Sequence, residues 1–339
     1  MITFNDFVLQ GKEIGALQKQ IEEKRLVHAL LITGEPGTGK NTLASLVAFS
    51  LMCSAEKNKP CGMCEGCRLA LSGDHPDIIV LEKGIPISPD TAKGKSTIPV
   101  DDIREVTRLC SQYSFNGANR VFIIRDADNM TVQAQNCLLK ILEEPPQNTF
   151  FILTSAHPDK LLITVKSRCR PVKLKPWPVS YIQHILHETG SDPQKAEKAA
   201  AVSGGSIGKA LKLMSDDTYW NTREEVIKSF FINIKRSEVL AISSAWKERR
   251  NEADILFGIL EDEVNRLLRY RLVAGEESQI ADFPAEWREF AGKASPDRFT
   301  AMNDRIREAR RQNDFNVNFQ AIIEQLLLFF IGEHMLWIK

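Results

Sequence analysis

The stretch from His28 to Met52, HALLITGEPGTGKNTLASLVAFSLM, decides how the chain is read. HALLITG is a short apolar run that ends in glycine, the pattern of a buried strand. NTLASLVAFSLM then sets Leu43, Leu46, Val47 and Leu51 on one helical face. Between the two, Gly34, Gly37 and Gly39 suit a turn whose backbone N–H groups curl around phosphates at a helix N-terminus. Lys40 follows, where an ammonium reaches the outer phosphates. With a strand before it and a helix after it, the turn reads as a phosphate loop.

One position departs from the pattern. Asn41 stands where a hydroxyl should follow the lysine, and Thr42 offers its hydroxyl one position late, where it points elsewhere on the helix. In such sites that hydroxyl and an aspartate at the end of a nearby strand hold magnesium. The second strand in question is VFIIRDAD, whose register puts Arg125 at the aspartate position and Asp126 where a glutamate would activate water. A guanidinium cannot bind Mg²⁺, and its charge opposes a nearby divalent ion. The two changes together argue against metal-assisted phosphoryl transfer.

Outward from the loop, strands and helices alternate to about residue 172. PDIIVLE, RVFIIRDAD and TFFILTS read as further strands. VDDIREVTRLCSQY spaces Ile103, Val106, Cys110 and Tyr113 as a helix does, with Asp101 and Asp102 in the first turn, where the dipole favours them. TVQAQNCLLKILEEPP is a helix stopped by Pro145 and Pro146. The alternation predicts a parallel sheet covered on both faces. From Lys83 to Pro99 a loop rich in Gly, Pro, Ser and Thr is expected to be mobile. After Pro171 the strand signal fades into a small helical segment, 173–215, and then into four or five amphipathic helices over 216–339.

At 339 residues the chain has room for two or three domains, and 43% apolar content supplies a core. Its 44 basic and 44 acidic residues balance, so contact with nucleic acid would need a local patch. MITFNDFVLQGKEIG lacks the basic start and apolar run of a secretory signal. In QAIIEQLLLFFIGEHMLWIK, Glu324, Glu333 and His334 interrupt the apolar run short of the roughly 20 residues that span a membrane. These features predict a soluble, cytoplasmic protein.

Four of the seven cysteines crowd together as Cys53-x7-Cys61-x2-Cys64-x2-Cys67. Four thiolates can close a tetrahedral, structural zinc site. Consecutive C-x2-C steps also occur in iron–sulfur ligation, although the first spacing does not suit common ferredoxin runs. Reduced thiols without metal are the third reading. Cys110, Cys137 and Cys169 sit in apolar settings and read as buried thiols.

HALLITGEPGTGKNTLA, the cysteine cluster, NCLLKILEEPPQNTFFILTS and Ser167–Arg168–Cys169 (SRC) together resemble the clamp-loader subunits of bacterial DNA polymerase III, an AAA+ family. The likeness is dense to about residue 215 and looser beyond. LLKxLEEPP followed by SRC carries it more specifically than the phosphate loop. It implies an α/β AAA+ P-loop domain over 1–172 with an inserted zinc module at about 53–67. A helical lid over 173–215 and an all-α collar over 216–339 would follow. Motor subunits of the gamma/tau kind carry a sensor-2 arginine in GSxRxAL, whereas GGSIGKAL places Gly208 there. Asn41, Arg125 and Gly208 are three losses at one site, and they point to the delta-prime type.

The resemblance then implies several roles. Structural Zn²⁺ would sit on Cys53, Cys61, Cys64 and Cys67. Gly34, Gly37, Gly39, Lys40 and Thr42 would form a vestigial phosphate loop, with binding of ATP or ADP left open. Arg168 would reach a neighbouring subunit's ATP site as an arginine finger, stabilising charge at the transferring phosphate; from the residues alone it reads as a surface salt bridge. Partners would be gamma/tau and delta subunits and, through the assembly, the sliding clamp and primed DNA. The chain would not itself be an enzyme. Two alternatives stand beside this: an ATP-hydrolysing gamma/tau-type motor, and a zinc-containing nucleic-acid-binding module on a vestigial fold, whose basic stripe is missing. Ser155 falls near the family's sensor-1 position, and Lys140 reads as a solvated helix lysine. Phe319, Ile322, Ile323, Leu326, Leu327 and Phe330 suit either an oligomeric collar or a thick domain core.

Overall fold

The computed structural model describes residues 2–85, 87, 97–111, 119–190, 192–232, 235–273, 280 and 282–338, with backbone alone at 273 and 334–338. Tyr113 and most of the Lys83–Pro99 loop lie outside the described residues. The chain divides into two compact units, Met1–Trp177 and Pro178–Lys339.

The first unit is built on strands β1 (Ala29–Thr33), β2 (Ile78–Leu81), β3 (Arg120–Ile124), β4 (Thr149–Ser155) and β5 (Arg170–Lys173). They form a parallel sheet in the order β2-β3-β4-β1-β5. Helices α1 (Lys12–Glu22), α2 (Lys40–Met52), α3 (Glu65–Ser72), α4 (Val100–Cys110), α5 (Val132–Glu143) and α6 (Ile163–Lys166) accompany it. Alternate strand residues serve opposite faces. Leu31, Phe122, Ile124, Phe151 and Leu153 pack with Ile103, Val106, Leu138 and Leu142 of α4 and α5. Phe122 and Phe151 stack across β3 and β4 with centroids 5.4 Å apart. Burying each such side chain contributes roughly 1.5–3 kcal/mol. The other face carries α2, which packs on β1, β3 and β4.

Four strands are expected from the sequence and five are found among the described residues. β5 escapes notice because it is short, contains Pro171 and buries only Val172. It is an edge strand, the place where a missing backbone N–H is tolerated. Helix α5 begins where Thr131 accepts the N–H of Ala134 at 3.2 Å and stops at Glu144, before the two prolines, as the sequence predicts.

All the regular structure described in the second unit is helical: α7 (Val179–Glu188), α8 (Pro193–Val202), α9 (Ile207–Met214), α10 (Asp217–Val226), α11 (Val239–Lys247), α12 (Ala253–Val273), α13 (Ala285–Lys293), α14 (Pro296–Asp314) and α15 (Phe319–Ile338). Its core gathers Phe231, Phe257, Trp287, Phe290, Phe299 and Phe330. Phe319, Ile322, Ile323, Leu326, Leu327 and Phe330 are all at most 4% exposed, so these six positions form the unit's own core and not a surface awaiting another subunit. Charged groups are buried here too. Arg223 Nε donates to Glu263 Oε1 at 2.6 Å, and its Nη2 to Asp282 at 2.6 Å, with Arg266 completing the cluster. Among the described residues no helix is long and apolar enough to cross a membrane.

Candidate functional site

In a parallel sheet the carboxyl ends of all strands share one rim, and ligand-binding loops collect there. The rim gathers Gly34–Lys40 after β1, Arg125 and Asp126 after β3, and Ser155 at the end of β4, opposite Thr33. Gly39 starts α2 at φ +95°, a left-handed conformation that favours glycine, while a Cβ there would meet the Phe7 ring only at ordinary contact distance.

Lys40 is buried to 6% exposure and turns inward, its Nζ donating to the carbonyls of Gly34 and Glu35, each at 2.9 Å. Thr38 also donates to Glu35 O, at 2.7 Å, and the Trp177 indole N–H donates to Thr38 O at 2.8 Å. Phe7 packs on Trp177. Burial pushes the Lys40 ammonium below its ordinary pKa, while the nearby carboxylates of Asp126, Asp128 and Glu35 pull it back up.

The residues that stand at the magnesium-seating positions are engaged in other bonds. Thr154 donates its hydroxyl to Asn41 Oδ1 at 2.8 Å and accepts the N–H of Asp126 at 3.0 Å. This chain of bonds ties the start of α2 to the ends of β3 and β4. Arg125 pairs with Glu82 through Nη1 at 3.0 Å. Thr42 makes none of these bonds and lines a cavity of about 360 Å³ together with Asn41, Ser45, Phe49, Leu71 and Arg125. Ser155 is fully buried and closes the following turn, accepting the N–H of His157 at 3.1 Å. Thr154, one residue earlier in FILTS, makes the contact to the loop helix. Lys140 is exposed. Gly208 belongs to the second unit, in the first turn of α9, where the adjacent Lys209 pairs with Asp262.

Arg168 stands at the other rim. Arg170 pairs in register with Leu30, so Arg168 lies before the amino end of β5, level with His28. Some six residues of strand separate that level from Gly34, roughly 20 Å at 3.3 Å per residue. Arg168 cannot serve its own phosphate loop. Its Nη2 donates to Glu143 and its Nη1 to Thr164 O at 2.9 Å, and the side chain is 31% exposed. The salt bridge expected from the residues alone therefore exists, with Glu143 of LEEPP as the partner. No sequence signal assigned that glutamate.

The four clustered cysteines converge. Their sulfurs all lie within 4.8 Å of one another, with Cys61–Cys67 and Cys64–Cys53 at 4.0 Å. A tetrahedral ion bound at about 2.3 Å sets sulfurs roughly 3.8 Å apart, so the donor set fits a tetrahedral metal. Backbone N–H groups of Cys61, Cys64 and Cys67 point at the sulfurs of Cys53, Cys61 and Cys64 at 3.3–3.5 Å, an arrangement that favours thiolate. Burial works against ionisation of Cys64, yet donors from Ser54 and Cys67 bring its pKa down to about 6, whereas burial raises Cys53 and holds Cys67 up at about 12. Gly66 lets α3 lie against the end of α2, because a Cβ there would meet Met52 O at 2.3 Å. Burial holds the remote thiols of Cys110 and Cys169 up at about 12, while Cys137 is only half-buried.

Comparison with known proteins bears on this arrangement. The family profile described as DNA polymerase III, delta subunit, matches residues 9–178, and that of its C-terminal part matches residues 217–331. The DNA polymerase III subunit delta' of Escherichia coli (strain K12) is 33% identical over 307 residues, covering 89% of this chain and 88% of that protein. The subunit delta' of Bacillus subtilis (strain 168) is 29% identical over 331 residues, covering 94% and 95%. The DNA polymerase III subunit tau of E. coli is 32% identical over 218 residues, but these cover 62% of this chain and 32% of that protein.

Proposed function

The chain belongs to the DNA polymerase III subunit delta' family, and on that premise we propose that it is a non-hydrolysing subunit of the replicative clamp loader that lends Arg168 to a neighbouring subunit's ATP site. The observation that carries this is the placement of the phosphate loop and of Arg168 on opposite rims of one sheet. At the carboxyl rim, the magnesium-seating positions are occupied by the Asn41–Thr154–Asp126 bonds and the Arg125–Glu82 pair. At the amino rim, the partly exposed Arg168 belongs to a stretch of backbone about 20 Å along the strands from its own loop, so the nucleotide it would touch is one bound to another protomer.

In this role the chain's residues do two things. Arg168 stabilises charge on a phosphate transferred in the adjacent site. The unused loop gives a fixed neighbour against which gamma/tau and delta subunits work as the assembly places the sliding clamp on primed DNA. Zn²⁺ held by Cys53, Cys61, Cys64 and Cys67 would be structural, because four thiolates leave no open position for chemistry. Residues 173–215 act as the helical lid and 216–339 as the collar, whose contacts to other subunits come from surfaces other than the buried α15 positions.

A gamma/tau-type motor is favoured by one feature, the intact Lys40 and glycines of the loop. Turnover by the purified chain separates the readings. With ATP and Mg²⁺, the proposed role predicts phosphate release at the buffer background, unchanged by Lys40→Ala. Release that requires Mg²⁺ and vanishes in Lys40→Ala would establish a motor.

A further inference from the structure

Glu143 is the last residue of α5, and its place is fixed from two sides. His28 Nε2 donates to Leu142 O at 3.0 Å, pinning the end of the helix to the start of β1. Glu144 N closes on Lys140 O at 3.2 Å, and Pro145 and Pro146 follow. The carboxylate that meets Arg168 is therefore carried by the rigid part of the fold.

An arginine has five N–H donors in a planar fork. Among the described residues, one on Nη2 goes to Glu143, one on Nη1 goes to Thr164 O, and Nε is buried without a partner. One N–H on each terminal nitrogen is left for further acceptors such as phosphate oxygens. A long side chain loses rotamer freedom when it is aimed. Here the two intrachain bonds absorb that loss during folding, before any neighbour's nucleotide is met.

We propose that Glu143 is a positioning residue for Arg168: its carboxylate oxygen orients the guanidinium so that its remaining N–H groups are held toward the adjacent subunit. This rests on the reading of Arg168 as a finger in trans. Glu143 acts as a hydrogen-bond acceptor, and its negative charge is not required for orientation. The neighbouring Glu144 makes no contact with Arg168 among the described residues and serves as the control.

The test is ATP hydrolysis by the reconstituted assembly, read as kcat and KM. Glu143→Ala is expected to lower kcat at the site Arg168 faces by roughly 5-fold, no further than Arg168→Ala does, with KM unchanged, the kind of effect that follows a misplaced reacting group. Glu143→Gln, which keeps an acceptor oxygen, is expected to restore most of the loss. Glu144→Ala is expected to match wild type, and Glu143→Ala is expected to add nothing to Arg168→Ala. A wild-type kcat in Glu143→Ala, an equal loss in the Arg168→Ala background, or a Gln variant as slow as Ala overturns the proposal. A wild-type rate in Arg168→Ala overturns the finger reading itself, and this proposal with it.

Discussion

Thr154 at the end of β4 donates its hydroxyl to Asn41 in the first turn of α2 at 2.8 Å. The same hydroxyl accepts the N–H of Asp126, so one buried group joins the phosphate-loop helix to two strands. In this chain the position after the loop lysine is thus a structural tie. Asn41→Ala strands the buried Thr154 hydroxyl and is expected to lower stability by about 1–3 kcal/mol, measured by urea unfolding. Asn41→Thr alone is expected to confer no magnesium-dependent turnover, since Arg125 still occupies the second position. Phosphate release gained by that single change would show that the Arg125 argument is mistaken.

The cysteine cluster makes a compositional prediction. Elemental analysis of the purified chain is expected to give one zinc per chain, and Cys64→Ser is expected to lose it and lower the melting temperature. Protons compete with a metal for thiolates, so retention is expected to fail as pH drops. Unaltered zinc content in Cys64→Ser would remove Cys64 from the ligand set.

Arg120 and Asp77 form a pair at the start of β3, with the arginine also donating to Leu109 O at 2.6 Å. Their side chains are 11% and 3% exposed. Removing one partner leaves the other buried and charged, which costs about 3–5 kcal/mol. Arg120→Met is expected to show a loss of that size on chemical unfolding, and a loss below 1 kcal/mol would contradict the burial.

The remote thiols set an alkaline limit. Cys110 and Cys169 are raised from 9.0 to about 12 in the fold. Between those values the unfolded chain has released protons that the folded chain keeps, so stability is full below about pH 9 and falls as pH rises. Each thiol contributes a slope of up to about 1.4 kcal/mol per pH unit. Cys169→Ala is expected to flatten the decline between pH 9 and 11. An identical slope in the variant would place Cys169 in contact with water.

Much of this fold is legible in the sequence because the deciding stretch is physically unambiguous: an apolar strand, glycines at the turn and a helix of small and aliphatic residues. β5 is not, because a strand that buries one side chain and contains proline leaves almost no periodic signal. The apolar stripe of α15 is legible as a stripe, but whether it meets its own chain or another depends on what packs across from it, and α11 and α14 do so here. At the site, residue types reveal losses more readily than replacements. Asn41 and Arg125 stand out against the expected pattern, whereas Thr154 and Glu143 find their partners only through contacts 113 and 25 residues distant in sequence.

The central claim is that Arg168 acts on a nucleotide held by another subunit. ATPase of the reconstituted assembly, compared between wild type and Arg168→Ala, tests it most directly. The account predicts that the variant assembles normally and that hydrolysis at the one site it faces falls about tenfold or more. An assembly of wild-type stoichiometry that hydrolyses ATP equally fast with Arg168→Ala would contradict it.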